Sequence, residues 1–299
     1  MWTRALLKEN AKRALQGRYW RGFAVCLIQS LLEYVYLWIT TFLCLFFVVL
    51  FLGVSLGADL LTSFSPLSPD SVISLLLIVY GVILFVLLLW AVFFAGALQA
   101  GRCRYFMESR QSPAPVGTLF STFRKPYWNV AKVYFLTFLK ILGILLLCLI
   151  PGSILSVILL PTPLAVIACV LFALPGLYFE YCYAMVAFLL AENPYLTTRR
   201  AMELSKQMMY GEKRRYFVLQ LSFFGWYLLC AAVYGIFLYV LPSPLSALSS
   251  FGVLFLTPYL NATYAEFYAA MRAKALSQGL STTEELGGFV RHDDSAAAL

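Results

Sequence analysis

With 299 residues, of which 62% are hydrophobic and 12% charged, and a mean hydropathy of +0.83, the chain lies far from the soluble balance of about half apolar and a quarter charged. Its 22 basic residues against 14 acidic ones leave a net charge of +8, a charge that membrane topology explains before any nucleic-acid partner is needed. Several apolar runs exceed the roughly 20 residues that cross a hydrocarbon core, so the sequence predicts an all-α, polytopic transmembrane bundle and excludes a soluble domain.

The first predicted element is a short amphipathic helix, Arg4 to Gln16, with Leu6, Leu7, Ala11, Ala14 and Leu15 on one side and Lys8, Glu9, Lys12, Arg13 and Gln16 on the other. A span follows over about 24–52. The basic lead before it is long and no small-x-small site closes the run, so this span is expected to be retained, not cleaved. The segment "GVSLGADLLTSFSPLSPD" from Gly53 is the outer turn to a second span over about 72–98. Two more spans, about 133–160 and 164–191, are joined at "PTP" from Pro161, with Pro151 and Pro175 inside helices long enough to tilt or kink. Asn193-Pro194 opens a second amphipathic helix that Gly211 ends, with Ala201, Met202, Leu204, Met208 and Met209 opposite Arg199, Arg200, Glu203, Lys206 and Gln207. Spans over about 216–241 and 248–271 complete a single transmembrane domain, 1–271, and residues 272–299 form a short tail.

Charge sets the expected orientation. Of the 22 basic residues, 21 lie in four segments: Arg4 to Arg21, Arg102 to Lys132, Arg199 to Arg215, and Arg272 to Arg291. The three outer turns, the segment from Gly53, "PTP" from Pro161 and "PSPLS" from Pro242, carry no Lys or Arg, so both termini are expected on the cytoplasmic side and the six spans pair as three helical hairpins.

The basic segments also read as a repeat. In "AKRALQGRYWRGFAVCL" from Ala11 and "SKQMMYGEKRRYFVLQL" from Ser205, Lys12 matches Lys206, Gly17 matches Gly211, Phe23 matches Phe217 and Leu27 matches Leu221. A looser copy, "LFSTFRKPYWNVAKVYF", starts at Leu119 and places "KPYW" where the first has "GRYW". The corner residues Arg18, Tyr19, Trp20, Lys125, Tyr127, Trp128, Lys213, Arg214, Arg215 and Tyr216 are therefore candidates for contact with anionic lipid headgroups, since each cation near such a surface contributes about 1 kcal/mol.

Polar chemistry inside the spans is sparse. Glu33, Lys140, Glu180 and Glu266 are the charged residues there, and with Asn261 they form a candidate intramembrane polar cluster. At about 1.5 Å per residue, Lys140 and Glu180 lie at similar depths, roughly 12 and 16 Å, on consecutive antiparallel helices, which predicts an ion pair. Glu266 is shallow enough to reach the basic corners or the hydroxyls of Tyr264 and Tyr268, while Asn261 and Thr263 can bond backbone freed by Pro258. The glycines of "FAGALQAG" from Phe94 suit close helix packing. No catalytic residue, cofactor site or metal site is predicted. The seven cysteines show no ligand spacing, and His292, the single histidine, cannot build a metal cluster.

The motifs "LLKENAKRALQGRYWRG", "LQAGRCRYFMESR", "LPGLYFEYCYAMVAFLLAENP", "SKQMMYGEKRRYFVLQLSFFGW" and "TPYLNATYAEFY" run in order from Leu6 to Tyr268. Together they resemble the bacterial integral membrane family catalogued as domain of unknown function 975. Glu212 departs from that pattern, standing where many members carry His. The resemblance implies a multi-pass protein of the bacterial cytoplasmic membrane and no particular activity. The expected function is a non-enzymatic scaffold, assembly factor or lipid-associated accessory, with membrane lipids and a membrane protein as partners and neither nucleic acid nor metal; the alternative is a small carrier or exporter with an acidic cavity facing the cytoplasm.

Overall fold

The computed structural model describes residues 2–56, 69–124, 126–158, 164–240, 252–287 and 289. Lys125, His292, the "PTP" and "PSPLS" turns, and most of the outer segment that starts at Gly53 lie outside these. Among the described residues there is no strand. In chain order the helices are α1 (Arg4–Leu15), α2 (Tyr19–Leu56), α3 (Pro69–Gln111), a 3-10 segment (Val116–Phe123), α4 (Tyr127–Ile158), α5 (Leu164–Tyr183), α6 (Val186–Glu192), α7 (Thr198–Met208), α8 (Lys213–Leu221), α9 (Phe224–Val240) and α10 (Gly252–Ser277).

Five segments are long and apolar enough to cross a membrane: Tyr19–Leu50, Ser74–Gln111, Tyr127–Leu155, Leu174–Glu192 and Lys213–Phe237. The expected sixth run falls in α10, whose inner portion carries Glu266, Arg272 and Lys274 and is buried in the protein over much of its length. The expected fourth span also differs. It is interrupted at Ala184 and Met185, between α5 and α6. Ser205 of α7 occupies that break, its hydroxyl donating to the Cys182 carbonyl at 2.9 Å and accepting from the Met185 N–H at 3.2 Å. A backbone interruption in an apolar helix leaves amides and carbonyls to satisfy, and a buried hydroxyl from another element does so here.

The structure divides into two compact units, residues 28–95 and the remainder. Within 28–95, α2 and α3 run antiparallel, with the Tyr36 hydroxyl on the Leu87 carbonyl at 2.9 Å and Tyr36 stacked on Trp90 at 5.1 Å, then Phe47 against Tyr80 farther out. Trp38, Phe42 and Val49 are exposed on this unit. Side chains of that kind are costly in water and suited to hydrocarbon.

In the larger unit, α4 and α5 pair antiparallel through small residues: a Cβ at Gly152 would meet Phe172, and one at Gly176 would meet Leu145. Helices α9 and α10 pair in the same sense, with Cys230 near Gly252 and Phe223 edge-on to Tyr259 at 5.6 Å. Burial concentrates at the basic ends of the helices. Leu98, Val133, Leu189, Leu204, Leu219 and Met271 are among the fully enclosed residues there. The α4 and α5 surface farther from those ends exposes Leu147, Ile154 and Leu171.

The repeat has a structural counterpart more extensive than the sequence match. Thr3 and Thr197, at equivalent positions, are both N-caps, accepting from the N–H groups of Leu6 and Arg200 at 3.2 and 3.4 Å. Gly17 and Gly211 both adopt positive φ, +70° and +76°, which stops the helix and turns the chain. The next helix then begins at Tyr19, Tyr127 and Lys213, which are equivalent positions in all three copies. Burial follows the same register: Ala11, Leu119 and Ser205 are enclosed, as are Gly22, Val130 and Tyr216, and Val25, Val133 and Leu219. In the middle copy the preceding element is the 3-10 segment and not an α-helix.

Candidate functional site

Where the apolar helices end, a belt of ion pairs ties the larger unit together. Arg110 near the end of α3 grips Glu266 of α10 through both carboxylate oxygens, at 2.6 and 3.1 Å. Arg272, two turns farther along α10, holds Glu192 of α6 at 2.7 Å, and Tyr268 donates its hydroxyl to the other oxygen at 2.5 Å. The Glu192 side chain is 0% exposed and that of Glu266 8%. Glu108 is paired with Arg104 at 2.8 Å and accepts from Thr118 at 3.4 Å, and Glu212 takes Lys274 at 2.9 Å. A charge removed from water is tolerable only when paired and hydrogen-bonded, and each of these carboxylates is.

The segment after α10 belongs to this belt. Residues 280–287 and Phe289, part of the tail expected from 272 onward, pack back onto the bundle with Leu286 fully buried. Arg200 of α7 binds Glu285 through two contacts of 2.7 Å and the Leu280 carbonyl at 2.8 Å. Arg272 also reaches the Leu286 carbonyl at 2.6 Å. The hydrogen bond from Arg200 is the main cause that holds the Glu285 carboxyl below its ordinary pKa. "STTEE" makes one turn, with the Glu285 N–H on the Thr282 hydroxyl.

Within the larger unit, Lys140, Glu180, Asn261 and Glu266, singled out from the sequence, take separate partners. Glu33 lies on the smaller unit and accepts from Gln29 at 2.8 Å. Lys140 and Glu180 form no ion pair; the Lys140 ammonium lies 5.2 Å from the centre of the Tyr183 ring. Similar depth along two helices does not by itself bring two side chains into contact. Asn261 bonds the Thr257 carbonyl at 2.9 Å and approaches the Cys26 sulfur at 3.6 Å. Thr263 bonds the Tyr259 carbonyl at 2.8 Å. Pro258 frees the carbonyl of Leu254, which neither of them reaches, so their bonds are ordinary back-bonds within the helix.

Glu180 instead lines a cavity of about 380 Å³. Its walls include Tyr134, Thr137, Tyr181, Tyr183, Tyr216 and the amides of Gln99 and Gln220. The residues lining it include neither Glu266 nor Lys140.

The aromatic and basic corners are divided in their exposure. Trp20 and Trp128 are 70% and 75% exposed, while Tyr216 is buried against Phe267 at 4.9 Å. Tyr19 donates to the Phe255 carbonyl at 2.7 Å and Arg18 to that of Ser109 at 2.7 Å, so both hold the corner of the first copy in place. Tyr127 stacks on Phe123 at 5.6 Å, and Lys213 lies over Tyr178 at 4.4 Å. Arg214 and Arg215 are exposed. The sequence reading missed Glu108, Glu192, Glu212 and their partners because charged residues at span ends read as solvated topology markers. Among the described residues no group of His, Cys, Asp and Glu could hold a metal ion.

No curated protein and no solved structure matches the chain. Residues 119–275, more than half of its length, match the family described as "Protein of unknown function (DUF975)", and this chain belongs to that family.

Proposed function

We propose that the chain is a non-enzymatic scaffold or lipid-associated accessory protein of the bacterial cytoplasmic membrane. In this reading it crosses six times as three hairpins, α2 with α3, α4 with α5 and α6, and α8 and α9 with α10. Both termini are cytoplasmic, and α1 and α7 lie at the inner surface. The observation that carries the reading is the ion-pair belt: Glu192 and Glu266 are each committed to an arginine from another helix or helical turn, which suits a fixed frame better than a translocation path. Carboxylates that move a cation must release their protein partner, and bidentate or doubly bonded pairs resist that.

A carrier is the second reading, and the Glu180 cavity favours it. The two are separated by extracting the protein at native level in lipid-polymer discs and identifying by mass spectrometry everything that stays with it. A single protein retained at near-equal stoichiometry supports the scaffold. A small molecule retained by the wild type and lost in Glu180→Gln supports the carrier and rejects the scaffold.

A further inference from the structure

A second pocket, about 400 Å³, opens between the start of α1 and α8, lined by Trp2, Thr3, Arg4, Arg214, Arg215 and Val218. Its charge is not neutralised locally. Every arginine of the belt has a carboxylate, but Arg4 and Arg214 have no acidic partner among the described residues. Arg215 has only a 3.6 Å contact to Glu212, whose other oxygen Lys274 holds at 2.9 Å. Three guanidinium groups therefore share one recess with less than one carboxylate between them. The positive potential is felt nearby: burial chiefly, then Arg4 and Lys12, lowers the pKa of Lys8.

Two further features make the recess a built site. Thr3 caps α1 there, so the pocket lies at the positive end of a 12-residue helix. Trp2, a wall of the recess, is fixed edge-on to the buried Phe267 at 5.1 Å. Forked guanidinium donors beside the apolar walls of Trp2 and Val218 match a tetrahedral oxyanion carrying an organic group.

We propose that this pocket binds a phosphate monoester or diester, with Arg4, Arg214 and Arg215 on its oxygens and Trp2 and Val218 as its apolar walls. The lipid source of that group rests on the lipid-associated reading above; the phosphate chemistry does not. Phe217 and Leu221, exposed farther along α8, offer an apolar track for acyl chains leaving the pocket.

The test uses the full chain in phosphatidylcholine nanodiscs, titrated separately with dihexanoyl phosphatidate and with inorganic phosphate, and read by native mass spectrometry and thermal shift. At roughly 5-fold per interfacial cation removed, Arg4→Gln with Arg214→Gln should weaken binding about 25-fold. Arg199→Gln with Lys206→Gln, an equal charge loss on the exposed face of α7, should change it less than about twofold. Unfolding midpoints without probe should be unchanged for the arginine pair, which has no acidic partner among the described residues to lose. Saturable phosphatidate binding that phosphate does not displace supports a lipid headgroup. Equal binding of inorganic phosphate retains the pocket and removes the lipid-associated reading. Absence of saturable binding by either probe, or an equal loss in the α7 control, overturns the proposal.

Discussion

Arg110 and Glu266, 156 residues apart in the chain, meet in a two-point ion pair that joins the end of α3 to the middle of α10. The geometry explains how a carboxylate is accommodated in a helix that otherwise reads as apolar. It also sets an asymmetry between breaking the pair and deleting it. Arg110→Met leaves Glu266 buried and unpaired and should cost about 3–5 kcal/mol, whereas Arg110→Met combined with Glu266→Leu should recover most of that loss. Unfolding midpoints of the two single variants and the double variant in one detergent decide it. A double variant as unstable as the sum of the singles would show that the two residues act independently.

Close backbone approach gives a second prediction. A Cβ on Gly101 would lie 1.8 Å from the carbonyl oxygen of Leu119, a backbone atom that cannot swing aside. Gly101→Ala should therefore destabilise by more than 3 kcal/mol, at the upper end of roughly 1–3 kcal/mol for overpacking or beyond it. Gly143→Ala, with nothing within 4 Å, should be neutral or slightly stabilising through helix propensity. Comparable melting temperatures for the two variants would contradict this contact.

Much of the frame was legible because its signals are local. Apolar runs, proline and glycine punctuation, and the matched Gly17 and Gly211 each act within a few residues, and "FAGALQAG" does mark close approach, with Gly96 against Tyr134 and Gly101 against Leu119. The partners of the charges were not legible. Depth along a helix can be counted, but the direction a side chain faces depends on helix rotation, which is why Lys140 meets Tyr183 and not Glu180. Long-range pairs such as Arg272 with Glu192 and Arg200 with Glu285 join segments whose proximity only tertiary packing creates. The break at Ala184 and Met185 was hidden for the same reason: its stabilising hydroxyl, Ser205, comes from 20 residues downstream.

Docking of the 280–287 segment should depend on acid. Glu285 titrates below its ordinary value of 4.5 because Arg200 favours its ionised form. The stabilisation is thus fully present above the unfolded value and is lost as pH falls through the lower folded one. Hydrogen exchange of residues 278–287 should stay slow at pH 7, after correction for intrinsic rates, and quicken progressively as pH falls below the ordinary value of 4.5. Arg200→Gln should give fast exchange already at pH 7. Protection in that variant equal to wild type would mean that Leu286 burial alone holds the segment.

The repeat makes the last prediction quantitative across two sites. Gly17 and Gly211 share a positive φ and open surroundings, so a side chain at either meets no atom within 4 Å and suffers only the backbone strain. That strain is about 1–2 kcal/mol for alanine in the left-handed region and smaller for asparagine, which tolerates it. Gly17→Ala and Gly211→Ala should therefore destabilise by similar amounts, with both Asn variants closer to wild type. Equivalence of the two costs is the test of common construction, because the helices they end pack on different neighbours: α1 on α10, and α7 on α4, α5 and α6 as well as α10. If one alanine variant is neutral and the other costly, the shared φ reflects two local solutions and not one repeated unit. Matching costs would place the corner geometry, which turns each surface helix into the helix that follows, at the level of the repeat itself.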